Sequence, residues 1–539
     1  MPRRSVDDGP DDPAAERTAP LDPLETSVCA IPERLLRRTA HGYRADRSGD
    51  IQILTREPDH LGHGGFPHSG PWDYVADVPL LWLGQGYVPA RGAVQRPVTL
   101  ADVGPTQAEL LGFDLDASDG TPLHEALVAQ RDRAEPPKLI VVVVWDGAGN
   151  DVLGAHPDAW PNLRSLIPQG TYYDRAEVGS SPPSTAQIHA TIGTGAFPRQ
   201  HGIVGMRFRV GNKLVDPWHD GPRYLELPTL ADRYDRAMGN EPLVAGIGTV
   251  AIHLGMLGHG AGFPGGDADL AVLRDISRIA SEGSGAIEWR LPDQLRDLYR
   301  FPGYVNDLPP LSRYLDELDR MDGSRDGRWR DHEMSGADPL AAFQTPARIP
   351  FQTRMVEEVI RREGFGADAV PDLLFVNYKL IDEIGHLYSM NSPEMGDAIR
   401  AQDGDLPELI GFLNGTVGAG NWVMALTADH GHTPSPAVSG ATVLSPGRVA
   451  DAIQTRFDRD GDHETIVESV QPTQIYVDRD ELRQQGATLA DVSRFVLTLT
   501  KRDVASDVWP VAAAALDAPA FMAAYPSAWL EELACVPRG

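Results

Sequence analysis

The stretch that most constrains this chain runs from Lys138 to Asn150, KLIVVVVWDGAGN. Leu139 to Trp145 is an unbroken apolar run dominated by β-branched side chains. It is too short for a helix or a membrane span, so it reads as a strand buried on both faces, the environment of a parallel sheet. Asp146 follows at the strand's carboxyl end. Ligands of open α/β sheets bind beyond that edge, which makes Asp146 a candidate metal ligand or catalytic group. A turn or helix-capping aspartate is the competing reading.

The rest of the chain repeats the pattern. PLVAGIGTVAI, DLLFVNYKLID and NWVMALTADHG read as further buried strands, and NLRSLIPQG, STAQIHATIGTG and FQTRMVEEVIRREG as helices between them. Strand alternating with helix predicts an α/β fold, a doubly wound, mostly parallel sheet between helices. Residues 257–344 turn to Gly, Asp, Arg and Trp with weak periodicity and read as a small inserted cap. Residues 1–25 read as a disordered tail, with order beginning near Pro32. Residues 119–137 read as a linker, and 138–256 and 345–539 as the core domain.

Composition excludes some functions. The formal net charge is −29 with no Lys/Arg run, which argues against binding a nucleic-acid polymer. An anionic substrate would need a strong local positive charge, and a metal is the obvious source. Arg3-Arg4 is followed by SVDDGPDDPAAE where an export signal needs an apolar segment, so neither export nor a membrane anchor is expected. Cys29 and Cys535 are the two cysteines. So few exclude a disulfide framework and predict a reduced, cytoplasmic protein.

Three strand ends carry metal-type ligands: Asp146, then Asp382 with His386, then Asp429 with His430. Carboxylate with imidazole suits Zn²⁺ and also admits Mn²⁺ or Fe. Thr185 adds a nucleophile candidate, because it begins a helix whose N-terminus favours anions. An ordinary N-cap is the alternative reading of that residue.

WDG at 145–147, STAQIHATIGTGAFPRQHGIVG at 184–205, DEIGH at 382–386 and TADHGH at 427–432 together resemble the alkaline phosphatase superfamily. They are most similar to its type I phosphodiesterase/nucleotide pyrophosphatase branch. The resemblance implies an alkaline phosphatase-like fold and two zinc ions, one held by Asp146, Thr185, Asp429 and His430, the other by Asp382 and His386. It favours Thr185 over Ser184 as nucleophile, because Thr185 stands four before His189. It also requires a third ligand for the second ion, which relatives supply from near the C-terminus. Here the matching segment lies near the N-terminus, PHSGPWDYVADVPLLWLGQGYV followed by RPVTLADVGPTQAELLG. The chain is therefore read as circularly permuted, with residues 34–118 completing the core domain and His68 as the missing ligand. His60, His63 and His432 compete for that role.

The implied reaction is hydrolysis of a phosphoric ester through a covalent phospho-threonine, with a small-molecule substrate. Monoesterases of this branch carry Lys and Arg where this chain has His253 and Gly255, which favours diesters or nucleotide pyrophosphates. Relatives carry asparagine at the position of Met206, and Arg207, Arg209 and His253 are the substrate-binding candidates. Monoester, phosphonate or sulfate ester hydrolysis, and a non-catalytic metal-binding descendant, remain as alternatives.

Overall fold

A computed structural model describes residues 22–537 apart from 63–64, 117–118, 134, 218–219, 275–288, 322 and 335–338. The tail expected over 1–25 lies mostly outside the described residues, but order starts earlier than Pro32, with a helix Pro23–Cys29.

The apolar run forms strand Leu139–Trp145, every residue of which is buried. It lies near the middle of a ten-stranded sheet. On one side it pairs in parallel with Asp372–Tyr378, followed outward by Val244–Ile247, Asp269–Val272 and Tyr299–Arg300. On the other it pairs in parallel with Trp422–Thr427. Next comes Asp77–Leu83, antiparallel, with Thr427 opposite Leu80. Thr171–Glu177 follows, and Gly92–Val94 and Val98–Thr99 pair with it. Because Asp77–Leu83 runs against its neighbour, the residues just before it arrive at the carboxyl edge of the parallel strands. That brings the loop carrying His68 to the same edge as Asp146.

A second sheet departs from the expected organisation. Val467–Gln471, Gln474–Val477, Ile51–Thr55 and Phe521–Pro526 form a four-stranded antiparallel sheet with its own apolar core, built on Ile51, Ile53, Ile475 and Phe521. Ile51–Thr55 and the C-terminal strands therefore leave the main sheet, although their apolar content suited either one. The expected cap also proves less separate, since Asp269–Val272 and Tyr299–Arg300 extend the main sheet at its edge.

The cysteine expectation is corrected. Cys29 and Cys535, 506 residues apart in sequence, form a disulfide that ties the first helix to the C-terminal segment. A count of two could not show that the fold returns both chain ends to one place.

Among the carboxyls buried away from the carboxyl edge is Asp235 on helix Leu230–Ala237, whose Oδ1 has no hydrogen-bond partner. Burial, then the charge of Asp267, pushes its carboxyl up to about 7. A carboxyl raised on folding is protonated in the native state while the unfolded chain has already ionised. Stability from this group is therefore full below pH 4 and falls as pH rises towards 7. Asp235→Asn should gain on the parent protein across that interval, by at least about 1 kcal/mol at pH 8 relative to pH 5. Urea unfolding of both proteins at the two pH values measures the difference, and a pH-independent difference would contradict this account.

Candidate metal and phosphoryl-transfer site

The three acidic residues meet at the carboxyl edge, and their side chains are almost completely buried. Asp146 follows the central strand directly. Asp429 follows Trp422–Thr427 by two residues. Asp382 is not at a strand end as expected, because the strand stops at Tyr378 and Asp382 lies in the first turn of helix Leu380–Tyr388. The helix explains the DEIGH spacing: four residues return His386 to the face of Asp382, placing Nε2 3.3 Å from Oδ1.

Ligand atoms of His68, Asp382 and His386 fall within 4.8 Å of one another, as do those of Asp146, Asp429 and His430. These are the two groups drawn from the sequence. Further groups that meet the same spacing include Asp382 with His430 and His432, and Asp146 with His189 and His253. Ring hydrogen bonds sort these histidines. His68 Nδ1 faces the Pro183 carbonyl at 2.9 Å and His430 Nδ1 the Gly431 carbonyl at 3.0 Å. A carbonyl accepts only from N–H, so each ring keeps its Nε2 lone pair for the centre, the orientation metal-ligating imidazoles adopt.

His189 and His253 are already spent. His189 donates from Nδ1 to the Thr185 carbonyl at 2.8 Å, and its Nε2 accepts from Asn377 at 2.9 Å. His253 Nδ1 accepts from the backbone N–H groups of Thr249 and Val250, which leaves its proton on Nε2, 3.5 Å from Asp146 Oδ2. His253 thus stands behind Asp146 as a potential donor to it, away from the substrate position the sequence suggested.

Burial pushes His430 and His253 down to about 4 and His189 to about 3, so all three are neutral at pH 7. Burial also lowers His68. Burial and then the neighbouring charge of Asp146 raise Asp429 well above the usual carboxylate range. Burial acts in the same direction on Asp146, but the Lys379 ammonium together with His253 and His430 holds that carboxyl low.

Asp382 Oδ1, Asp429 Oδ2 and both ring nitrogens of His432 are buried without a hydrogen-bond partner. Leaving such atoms unpaired costs about 1–3 kcal/mol each. A divalent cation would satisfy the carboxylate oxygens, and the neutral His430 imidazole beside Asp429 is in ligating form. The donor set therefore fits the metals. Asp146, Asp429, His430 and Thr185 would hold one ion, and Asp382, His386 and His68 the other.

Thr185 is the first residue of helix Thr185–Thr194. Ser184 occupies the N-cap position, its hydroxyl bonded to the Gln187 side chain, so the capping alternative for Thr185 does not hold. The Thr185 hydroxyl instead lies 3.4 Å from His430 Nε2 and accepts from Lys379 Nζ at 3.0 Å. Thr185 opens onto a cavity of about 350 Å³ with apolar walls from Pro67, Pro182, Val204 and Met206, and with Arg207 at its lining. Arg209 is directed elsewhere. It pairs with Asp50, just before strand Ile51–Thr55, and with Glu468 of the second sheet.

Sequence reasoning missed Asn377 and Lys379. Asn377 bridges Asp146 Oδ2, at 2.7 Å, and His189. A fully buried asparagine one residue from the end of the strand, after the apolar run Leu373–Val376, was the available signal. The glycines of WDG and DEIGH make room for the remaining ring. A Cβ on Gly147 would lie 2.8 Å from His432 Nε2, and one on Gly385 would lie 2.4 Å from it.

A family model described as type I phosphodiesterase / nucleotide pyrophosphatase matches residues 140–513. The chain belongs to this family. It is accordingly a member of the alkaline phosphatase superfamily. Alkaline phosphatase PhoV of Synechococcus elongatus is 25% identical over 413 residues, covering 68% of this chain and 72% of that protein. Alkaline phosphatase PafA of Elizabethkingia meningoseptica is 24% identical over 419 residues, covering 70% and 76%. The crystal structure of wild-type PafA superposes with a TM-score of 0.49 at 21% identity, over 67% of this chain and 76% of that one. The family match begins inside the central strand, so the segment bearing His68 lies outside it.

If His68 completes the Asp382 group, His68→Ala should lower bound zinc from about two ions per chain towards one. His60→Ala is the control, its ring lying near the Pro58 carbonyl. Metal analysis after gel filtration reads the difference, and equal zinc in both variants would remove His68 from the ligand set.

Proposed function

We propose that this family member hydrolyses small phosphoric esters, with Thr185 as nucleophile and two divalent ions, preferentially zinc, in the groups described above. The observation that carries this reading is the Thr185 hydroxyl, at a helix N-terminus, beside His430 Nε2 and facing a partly open cavity. Bound divalent ions would supply Lewis acidity, lowering the hydroxyl pKa and neutralising phosphoryl oxygens. The chain supplies the rest. Thr185 Oγ1 bonds to phosphorus as the ester P–O bond breaks and the alcohol leaves. Water then cleaves the phospho-threonine, releasing phosphate, or a phosphomonoester when the substrate is a diester, and restoring the hydroxyl. Asn377 holds Asp146 from behind, with His253 Nε2 3.5 Å from the same oxygen, and His189 holds the carbonyl of Thr185 itself, so nucleophile and carboxylate stay aligned.

Diesters or pyrophosphates are the preferred substrates in this reading. The apolar walls accommodate an organic group on phosphorus, and His253 is withdrawn behind Asp146, so it adds no charge for a terminal phosphate. Monoesters are the second reading. It is favoured by the names of PhoV and PafA and by Arg207 and Lys379 in the cavity lining.

Turnover of a bis-aryl phosphate against the corresponding aryl phosphate separates the two. The diester should give the higher kcat/KM, and Thr185→Ala should lose roughly a thousandfold or more on either. A Thr185→Ala variant with parental turnover would refute the nucleophile.

The position of His68 supports a circularly permuted arrangement, in which the segment preceding the family match completes the core of the sheet. The Cys29–Cys535 bond supports an oxidising compartment over the expected cytoplasm, since disulfides persist there. Thiol titration of the denatured, unreduced protein should find none free, and two free thiols would return the protein to a reducing compartment.

A further inference from the structure

Lys379 sits where the two metal-ligand groups meet. Its Nζ donates to Asp146 Oδ1 at 2.8 Å, lies 2.7 Å from Asp382 Oδ2, and donates to Thr185 Oγ1 at 3.0 Å. Its side chain is 6% exposed. It is also the N-cap residue of helix Leu380–Tyr388, where the helix dipole disfavours a cation. The carboxylates offset that cost, so the lysine is held by the centre and not by its helix.

The two carboxylates do not share the ammonium equally. Asp382 turns Oδ2 to the lysine and leaves Oδ1 free towards His68, His386 and His432, at 3.6, 3.3 and 3.3 Å. That group can accept a cation with Lys379 in place. Asp146 has no free oxygen: Oδ1 is taken by Lys379 and Oδ2 by Asn377. A cation joining Asp146, Asp429 and His430 has to displace the ammonium or share an oxygen with it, and a like charge at that separation is strongly unfavourable.

We propose that Lys379 is a built-in competitor cation for the Asp146 half of the centre, so that the two metal positions fill in order, the His68/Asp382/His386 position first. This rests on the two-metal reading above. In the metal-free protein the lysine partly neutralises the two buried carboxylates it touches, Asp146 and Asp382, and its departure is the price of the second ion.

The test is a titration of the metal-free protein with Zn²⁺ alone against a chromophoric chelator, in the parent, in Lys379→Met and in Lys379→Gln. The glutamine variant keeps N–H donors should the methionine variant fold poorly. Two affinity classes are expected in the parent, the tighter one lost in His386→Ala. Removing the ammonium should tighten the weaker class tenfold or more and leave the tighter one within about twofold. Equal affinities in the parent, a weaker class unchanged or loosened by the substitutions, or both classes shifted alike would overturn the proposal. In those cases the parent still binds zinc, so the metal centre survives and only the role of Lys379 falls. A parent protein that binds no zinc overturns both.

Discussion

Three carboxylates, Asp146, Asp382 and Asp429, are held almost out of water at one edge of one sheet. Each ionised carboxylate removed from water costs several kcal/mol unless it is compensated. Much of what surrounds the site follows from that constraint. Lys379 supplies a positive charge, Asn377 supplies N–H groups, the backbone N–H of Gly147 donates to Asp429 at 3.0 Å, and a ring of imidazoles lies within reach. The compensation is incomplete, and the carboxylate oxygens left unpaired are the ones that face the histidines.

The sheet makes this concentration possible. Strand Leu139–Trp145 and its neighbours Asp372–Tyr378 and Trp422–Thr427 are parallel, so all three deliver their carboxyl ends to the same side. Both faces of the central strand are covered, which keeps the base of the site dry and raises the strength of every charge interaction in it. Asp77–Leu83 then adds an antiparallel strand, and its reversed direction carries His68 in from the opposite end of the sequence. The second sheet lends Gln474 and Tyr476 to the cavity wall, so elements of both sheets line the pocket.

Local chemistry also explains which histidines are available. His189 and His253 satisfy the spacing for a metal as well as His68 and His430 do, yet their ring nitrogens are committed to the backbone, to Asn377 or to facing Asp146. His189 fixes the Thr185 carbonyl, and His253 faces Asp146. The distinction rests on which ring nitrogen keeps its lone pair, a property set by one hydrogen bond on each ring.

The sequence alone was enough for the parallel core, for Asp146, the Asp382–His386 and Asp429–His430 pairs and Thr185, and for the family. Each rests on a contiguous pattern: a run of β-branched residues, a short spacing, or a motif. His68 could be reached only through a resemblance, because nothing local distinguishes one histidine in a Gly-rich loop from another. The Cys29–Cys535 bond, the second sheet, the withdrawal of Arg209 and His253, and the bridging place of Lys379 were decided by the tertiary structure. The physical reason is common to them all. A side chain's role there depends on partners a hundred or more residues away, and neither periodicity nor spacing carries that information.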